Sequence, residues 1–366
     1  MGLKVSSLSM HTFRNFSERE LALDPGMTVL VGRNATGKTN SIEALQMLTS
    51  GLSFRHPRAQ DLIQEGTTTA RISAELTGDG RMLDVACSIT PHRRSFERNG
   101  KKCKPADLSA ILMSVLFCPD DLSLVKGSAR FRREELDAFG AQANAGYRRL
   151  SQAFSHAVEQ RNRLLKEPQP DLDLLNAWDA SVATGGAALL DARLKLFSRI
   201  KTHINAIYSQ VSGTDGIDCA YLSTLADPEE DISQLSRSEL ADRFATRLQA
   251  TRAYDLRRQQ TSTGPQRDDI TFTLNNRDAR SFGSQGQQRS IVLAWKMAEV
   301  EIAEEVLGDK PLLLLDDVMS ELDSVRRAAI TKFVQDGIQT VVTTTNLEYF
   351  PRPLLENAQV IPYETQ

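Results

Sequence analysis

The chain has 366 residues, 40% of them hydrophobic, with 44 basic against 47 acidic side chains and a formal net charge of −3. That size and content support a buried core and about two domains. The balance excludes a strongly basic nucleic-acid binder of the simplest kind. No run approaches the ~20 apolar residues that cross a bilayer, and no basic segment followed by an apolar run opens the chain. Cys87, Cys103, Cys118 and Cys219 show no C-x-x-C spacing, so neither a zinc cluster nor a disulfide framework is expected, and a reducing, cytoplasmic setting fits.

From the amino terminus, Val5–Phe13 and Glu20–Leu23 alternate like strands. Met27–Val31 runs apolar like a buried strand and leads into Gly32-Arg33-Asn34-Ala35-Thr36-Gly37-Lys38-Thr39, followed by Asn40 and a helical stretch from Ser41 to Leu48. This is G-x-x-x-x-G-K-[ST] in the strand-to-helix setting that a chance match lacks. A glycine-rich turn closes its N–H groups on phosphates, and the helix start adds the positive end of its dipole. Lys38 is expected on the β- and γ-phosphates, and Thr39 on Mg²⁺. Ala35 occupies a loop position where a positive φ would be costly, so a negative φ is expected there.

Ala70–Leu76 and Met82–Thr90 read as further strands, and Asn99-Gly100 as a hairpin turn. Between about Ser128 and Arg258 the composition turns to Ala, Leu, Gln, Arg and Glu with apolar residues at helical spacing. Pro168-Gln169-Pro170 interrupts it once, which predicts two long helices doubling back and a third over Ser236–Arg258. Gly185-Gly186 is a candidate kink. The chain then alternates: strand Ile270–Leu274, helix Gly286–Val306, strand Leu312–Leu315, helix Ser324–Val334 and strand Thr340–Thr344.

Leu312–Leu315 has no alternation, as a central parallel strand covered on both faces would not, and it delivers Asp316 and Asp317 at its carboxyl end. Two acids there also suit the start of a solvated helix. Beside a phosphate loop they suit catalysis: Asp316 as the magnesium carboxylate, Asp317 to orient or deprotonate an attacking water. The phosphate loop and these acids lie near opposite ends of the chain, so a large helical piece is inserted between them. The expected fold is α/β: a P-loop head with a parallel core sheet and an antiparallel β subdomain, split over 1–127 and 261–366, with a helical arm over 128–260.

The motifs as a set resemble the RecF family of bacterial DNA replication and repair ATPases, relatives of SMC and ABC heads. They are Phe13-Arg14-Asn15-Phe16; the phosphate loop with Asn40 and Glu43; Ser53-Phe54-Arg55; Pro119-Asp120-Asp121-Leu122; Gly264-Pro265-Gln266-Arg267-Asp268-Asp269; Ser284-Gln285-Gly286-Gln287-Gln288-Arg289; and Asp316 to Asp323. The resemblance implies that Ser284, Gln285, Gly286, Gln287 and Gln288 are a signature segment closing over the nucleotide of a second subunit, with Asp323 crossing the same interface. One phosphate loop and one signature per chain then imply a two-fold homodimer clamping two ATP molecules. It also implies single-stranded, gapped or junction DNA as ligand, RecR and RecO as partners, and help in loading recombinase during repair and the SOS response. Two positions depart from the family pattern: Ala35 replaces a usual glycine and Gln266 a usual histidine. Thr343-Thr344-Thr345-Asn346 stands where ABC ATPases carry a switch histidine, which implies slow hydrolysis.

For DNA the candidate contacts are Arg93, Arg94, Lys101 and Lys102 around the hairpin and Arg132 and Arg133 at the arm's start. Solvated helix and strand faces explain such residues equally well. Two other classes compete. An ATPase-coupled nuclease of the overcoming-lysogenisation type would need a second acidic metal cluster, and none follows Asp323. An SMC-like structural protein would need a sustained heptad and a hinge, which the arm lacks.

Overall fold

The structure, a computed structural model, describes residues 2–213, 216–227, 230–335 and 337–364. Contacts divide the chain into two compact units: Met1–Asp121, Ala206–Asp215 and Arg289–Gln366 form one; Leu122–Asn205 and Gly216–Gln288 form the other. The head segment anticipated from residue 261 thus begins after Gln288. Its first strand pairs within the inserted unit, for the reason given below.

The strands, in order, are β1 Lys4–Phe13, β2 Phe16–Ala22, β3 Met27–Gly32, β4 Ala70–Gly78, β5 Arg81–Thr90, β6 Arg93–Arg98, β7 Lys101–Cys103, β8 Ser114–Phe117, β9 Ile217–Leu222, β10 Asp269–Leu274, β11 Arg277–Asp278, β12 Leu312–Asp316, β13 Thr340–Thr344 and β14 Ala358–Tyr363. In the first unit β2-β1-β4-β5-β6-β7 make an antiparallel sheet, while β14-β3-β13-β12-β8 make a parallel one. Alternating residues of β1 and β4, among them Val5, Leu8, Met10, Ile72 and Ala74, join Leu45 and Leu48 of the helix Lys38–Ser50 in one core. Asn99 and Gly100 take φ of 48° and 71°, as a tight hairpin turn between β6 and β7 requires.

β13 lies between β3 and β12, with Asp316 level with Thr343 and Thr343 level with Leu30. The phosphate loop, the acids and the threonine run therefore emerge together at the carboxyl edge, where open α/β sheets place their ligands. β12 and β13 are buried at every residue, which explains why β12 carries four leucines without alternation. The two edge strands carry little sequence signal: β8 has only four residues, and β14 contains Pro362 and is mostly half-exposed.

In the second unit β11-β10-β9 form a small antiparallel sheet. β10 pairs with β9 along its whole length, from Asp269 opposite Leu222 to Leu274 opposite Ile217, so the segment after residue 260 belongs with the insertion. The helices Ala129–Ala143, Tyr147–Leu164 and Arg237–Arg258 lie here, with most of Leu172–Ser212. The first expected helix is two, separated at Asn144–Gly146, where Asn144 Oδ1 accepts the Gly146 N–H and ends the turn. Gly185-Gly186 does not interrupt its helix. A Cβ on Gly186 would lie 2.3 Å from Phe244 Cε1 and 2.9 Å from Phe154 Cε2, so close helix packing is what glycine serves there.

Charged groups buried in this unit are paired. Arg161 reaches Asp179 at 2.6 Å and Asp255 at 2.7 Å. Arg193 binds Asp137 and donates to the Pro265 carbonyl; Tyr221 and Thr224 donate to Asp268. The Gly264–Asp269 motif is thereby tied into the unit's core.

Candidate nucleotide site and nucleic-acid surface

The helix Lys38–Ser50 has no side-chain cap at its amino end. Its first N–H groups are left for a ligand, and the helix dipole favours an anion there. Gly37, at φ 101°, is required twice over: a Cβ would strain the backbone and sit 2.4 Å from Phe16 Cζ. Ala35 departs from its expected conformation, at φ 66°. The loop turns through the left-handed region there, at a cost of about 1–2 kcal/mol for a residue with a Cβ. Lys38 curls over the loop and donates to the carbonyls of Gly32 and Arg33, both at 2.7 Å. Burial lowers its pKa, opposed by the charges of Asp317 and Asp316.

Thr39 Oγ1 donates to Asp316 Oδ1 at 2.9 Å, bringing the two expected magnesium ligands together. A hydroxyl and a carboxylate at the foot of a phosphate loop are the hard oxygen donors that Mg²⁺ takes alongside phosphate oxygens. Burial raises the Asp316 pKa against hydrogen bonds from Thr343 and Thr39. Asp317 sits at φ 52°, and its buried Oδ1 has no hydrogen-bond partner among the described residues. That orphaned acceptor suits an incoming water. Thr343 Oγ1 donates to Asp316 at 2.7 Å and accepts the Asp317 N–H at 2.9 Å. Thr343 therefore fixes both acids, and its hydroxyl is no general base.

Around the loop the motif residues share one polar network. Arg14 binds buried Glu43 through two hydrogen bonds, 2.9 and 2.7 Å, and Ser53 donates to the same carboxylate at 2.5 Å. Asn40 donates to Asn15, and Arg55 donates to Asn40 Oδ1 at 2.8 Å. Arg55 thus stands beside the loop's Asn40, and its charge lowers the Asp316 pKa in part, against the burial that raises it. Motif spacing missed Tyr363: its hydroxyl pairs with Ser41 Oγ at 2.7 Å, and its backbone excludes any side chain at Gly32. Only the β14–β3 pairing could have pointed to it.

In the segment expected to be a signature, Ser284 and Gln287 cap each other, the Ser284 N–H donating to Gln287 Oε1 at 2.9 Å and the Gln287 N–H to Ser284 Oγ at 3.2 Å. Buried Gln288 donates to the carbonyl of Ala279 at 2.9 Å. Ser284 and Gln285 are exposed, and Gly286 is half-buried. Asp323 is exposed beside Arg326.

The proposed DNA contacts divide. Arg93, Lys101 and Lys102 are exposed on β6 and β7, whereas Arg94 donates to the Pro57 carbonyl. Arg132 is no phosphate contact: it is buried, bound through two hydrogen bonds to Asp269 and donating to the Gly127 carbonyl. Arg133 is turned to the Asp268 carbonyl, and burial lowers its pKa. Arg132 holds the arm's first helix to β10 and Arg133 holds it to the residue before that strand, so both are withdrawn from the DNA surface. Cys87, Cys118 and Cys219 are buried; burial pushes the thiols of Cys87 and Cys219 up to about 12.

Residues 4–360 match the model of the RecF/RecN/SMC N terminal domain. The protein named DNA replication and repair protein RecF from Nostoc punctiforme is 35% identical, covering 98% of this chain and 96% of its own. That from Thermosynechococcus vestitus is 36% identical over 98% and 94%. The chain belongs to the RecF family. A solved structure of the recombination mediator protein RecF-ATPrS in the RecFOR pathway superposes on this RecF-family fold with a TM-score of 0.88 at 28% identity, covering 96% of this chain and 94% of that one. The Smc head domain of Pyrococcus furiosus, bound to the C-terminal domain of ScpA, shares the fold alone, at a TM-score of 0.54 and 17% identity.

Proposed function

We propose that this chain is an ATP-dependent DNA-binding protein of recombinational repair and replication, working as an ATP-gated homodimer on single-stranded, gapped or junction DNA. The observation that carries the nucleotide part is the 2.9 Å contact of Thr39 with Asp316 at the start of an uncapped helix. The similarity to RecF proteins along the whole chain supports the DNA part.

The phosphate-loop N–H groups and Lys38 bind the triphosphate. Thr39 and Asp316 hold Mg²⁺, which when bound neutralises phosphate charge. Ser284 and Gly286 of the second copy close the site over the γ-phosphate, and Asp323 crosses the same interface. Asp317 accepts a hydrogen bond from the attacking water and so orients it. With Thr343 rather than a histidine beside the acids, hydrolysis is slow, and ATP binding is the working signal. Arg93, Lys101 and Lys102 contribute phosphate contacts to a DNA surface that closure assembles. RecR and RecO are the partners, recombinase loading in the SOS response the outcome, and the cytoplasm the compartment. Among the described residues no helix is long and apolar enough to cross a membrane. The nuclease alternative finds no support: relatives matching the whole chain are RecF proteins.

Light scattering with and without ATP, repeated with gapped, single-stranded and duplex DNA, tests the reading. A dimer forming only with ATP is expected, with Ser284→Arg binding ATP normally as a monomer and failing to pair. A wild-type chain that stays monomeric at saturating ATP, Mg²⁺ and DNA overturns it.

A further inference from the structure

Phe282, two residues before Ser284, is 71% exposed. It ends the short helix Ala279–Phe282, whose first residue accepts the Gln288 side chain through its carbonyl, while Asp278 caps the other end through the Arg280 N–H and the Ser281 hydroxyl. The ring is thus held at a set distance from the signature by bonds on both sides of it. It walls a cleft of about 390 Å³ with Leu274, Asn275, Arg277, Gly283 and Gln287. Arg277 lines the same cleft, while Arg280, two residues before the ring, lies near the Asp278 carboxylate; both arginines are exposed. An exposed phenylalanine beside exposed arginines has the composition of an interface centre: aromatic and arginine anchors dominate binding energy once desolvated.

We propose that Phe282, with Arg277 and Arg280, is a docking anchor that seats on the nucleotide-loaded phosphate-loop face of a second copy of this chain. The inference rests on the homodimer reading and names the side chains that carry its affinity. Continuity selects the occupant: Phe282 is fixed to Ser284, the residue that reading places against the partner's γ-phosphate. Charge favours the same occupant, because a triphosphate bound there is an anion for the exposed Arg277 to meet, with Arg280 close by. The phosphate-loop residues Arg33, Asn34 and Ala35, exposed in the chain alone, are the surface available to the ring. Val325, 59% exposed and two residues after Asp323, is a second apolar side chain beside an element of the same contact.

The test compares ATP-dependent dimerisation of the full chain, wild type, Phe282→Ser and Met82→Ser, by light scattering and sedimentation at several protein concentrations. Met82 is a control of equal exposure, 69%, on β5. A fluorescent ATP analogue reads nucleotide binding by the monomer. Since the Phe282 ring is exposed, its replacement leaves the fold intact. Phe282→Ser is expected to weaken the dimer at least about tenfold, the effect of losing one anchor, while ATP binding by the monomer and the Met82→Ser dimer stay at wild-type values. Arg280→Glu is expected to weaken it further as salt is lowered. If the wild type pairs with ATP and Phe282→Ser pairs equally well, the anchor is refuted and the homodimer stands. If the wild type does not pair, the homodimer reading falls and the anchor with it.

Discussion

Glu43 offers the sharpest test of how the phosphate loop is supported. Its side chain is wholly buried and takes two hydrogen bonds from Arg14, whose side chain is 19% exposed, and one from Ser53. Removing one partner of a buried ion pair costs about 3–5 kcal/mol, because the survivor is left desolvated. Glu43→Ala leaves Arg14 partly hydrated and still bonded to the Asp61 carbonyl, so the low end, about 3 kcal/mol, applies. Arg14→Ala strands the carboxylate at zero exposure with Ser53 and, at 3.6 Å, Arg55, so its cost lies nearer 5 kcal/mol. At about 2–4 °C per kcal/mol for a unit of this size, Glu43→Ala lowers the melting temperature by about 6–12 °C. The double variant Arg14→Met/Glu43→Leu removes both charges and recovers much of the loss. Calorimetry of the four proteins decides it. Additive losses, or single variants each costing under 1 kcal/mol, would refute the view that this pair ties the helix Lys38–Ser50 to the turn after β1.

Further outcomes follow from particular residues. Ala35→Gly relieves the positive φ and should stabilise the nucleotide-free chain by about 1 kcal/mol, read as a higher melting temperature. Gly186→Ala gains helix propensity on paper yet should destabilise by about 1–3 kcal/mol in urea titration, since its Cβ meets Phe244. Burial raises the Asp268 pKa above that of the unfolded carboxyl, so the folded chain binds its proton more tightly. Stability from this group is present below an unfolded value of about 4 and is lost as pH rises through the folded value; Asp268→Asn should flatten that slope in denaturation run across acid pH. Lys101→Glu with Lys102→Glu should weaken DNA binding and reduce the salt dependence by about two phosphate contacts, whereas Arg132→Ala should unfold the arm at lower temperature and leave the head's nucleotide binding unchanged. An unaltered salt slope would remove β6 and β7 from the DNA surface.

The local sequence determined the phosphate loop, its strand and helix, the two acids after four leucines, the Asn99-Gly100 turn and the helical character of the insertion. Each is a short-range matter of periodicity, glycine chemistry or a motif whose residues act on one ligand. The tertiary structure decided what depends on distant segments meeting. Register between β12 and β13 turned Thr343 into the residue that fixes both acids. Pairing with β9 drew β10 into the inserted unit, and Asp269 on that strand took Arg132 out of solvent. Arg132 and Lys101 are both cations in basic runs, and no local pattern separates them. Burial beside a carboxylate does, and burial is a property of the folded chain.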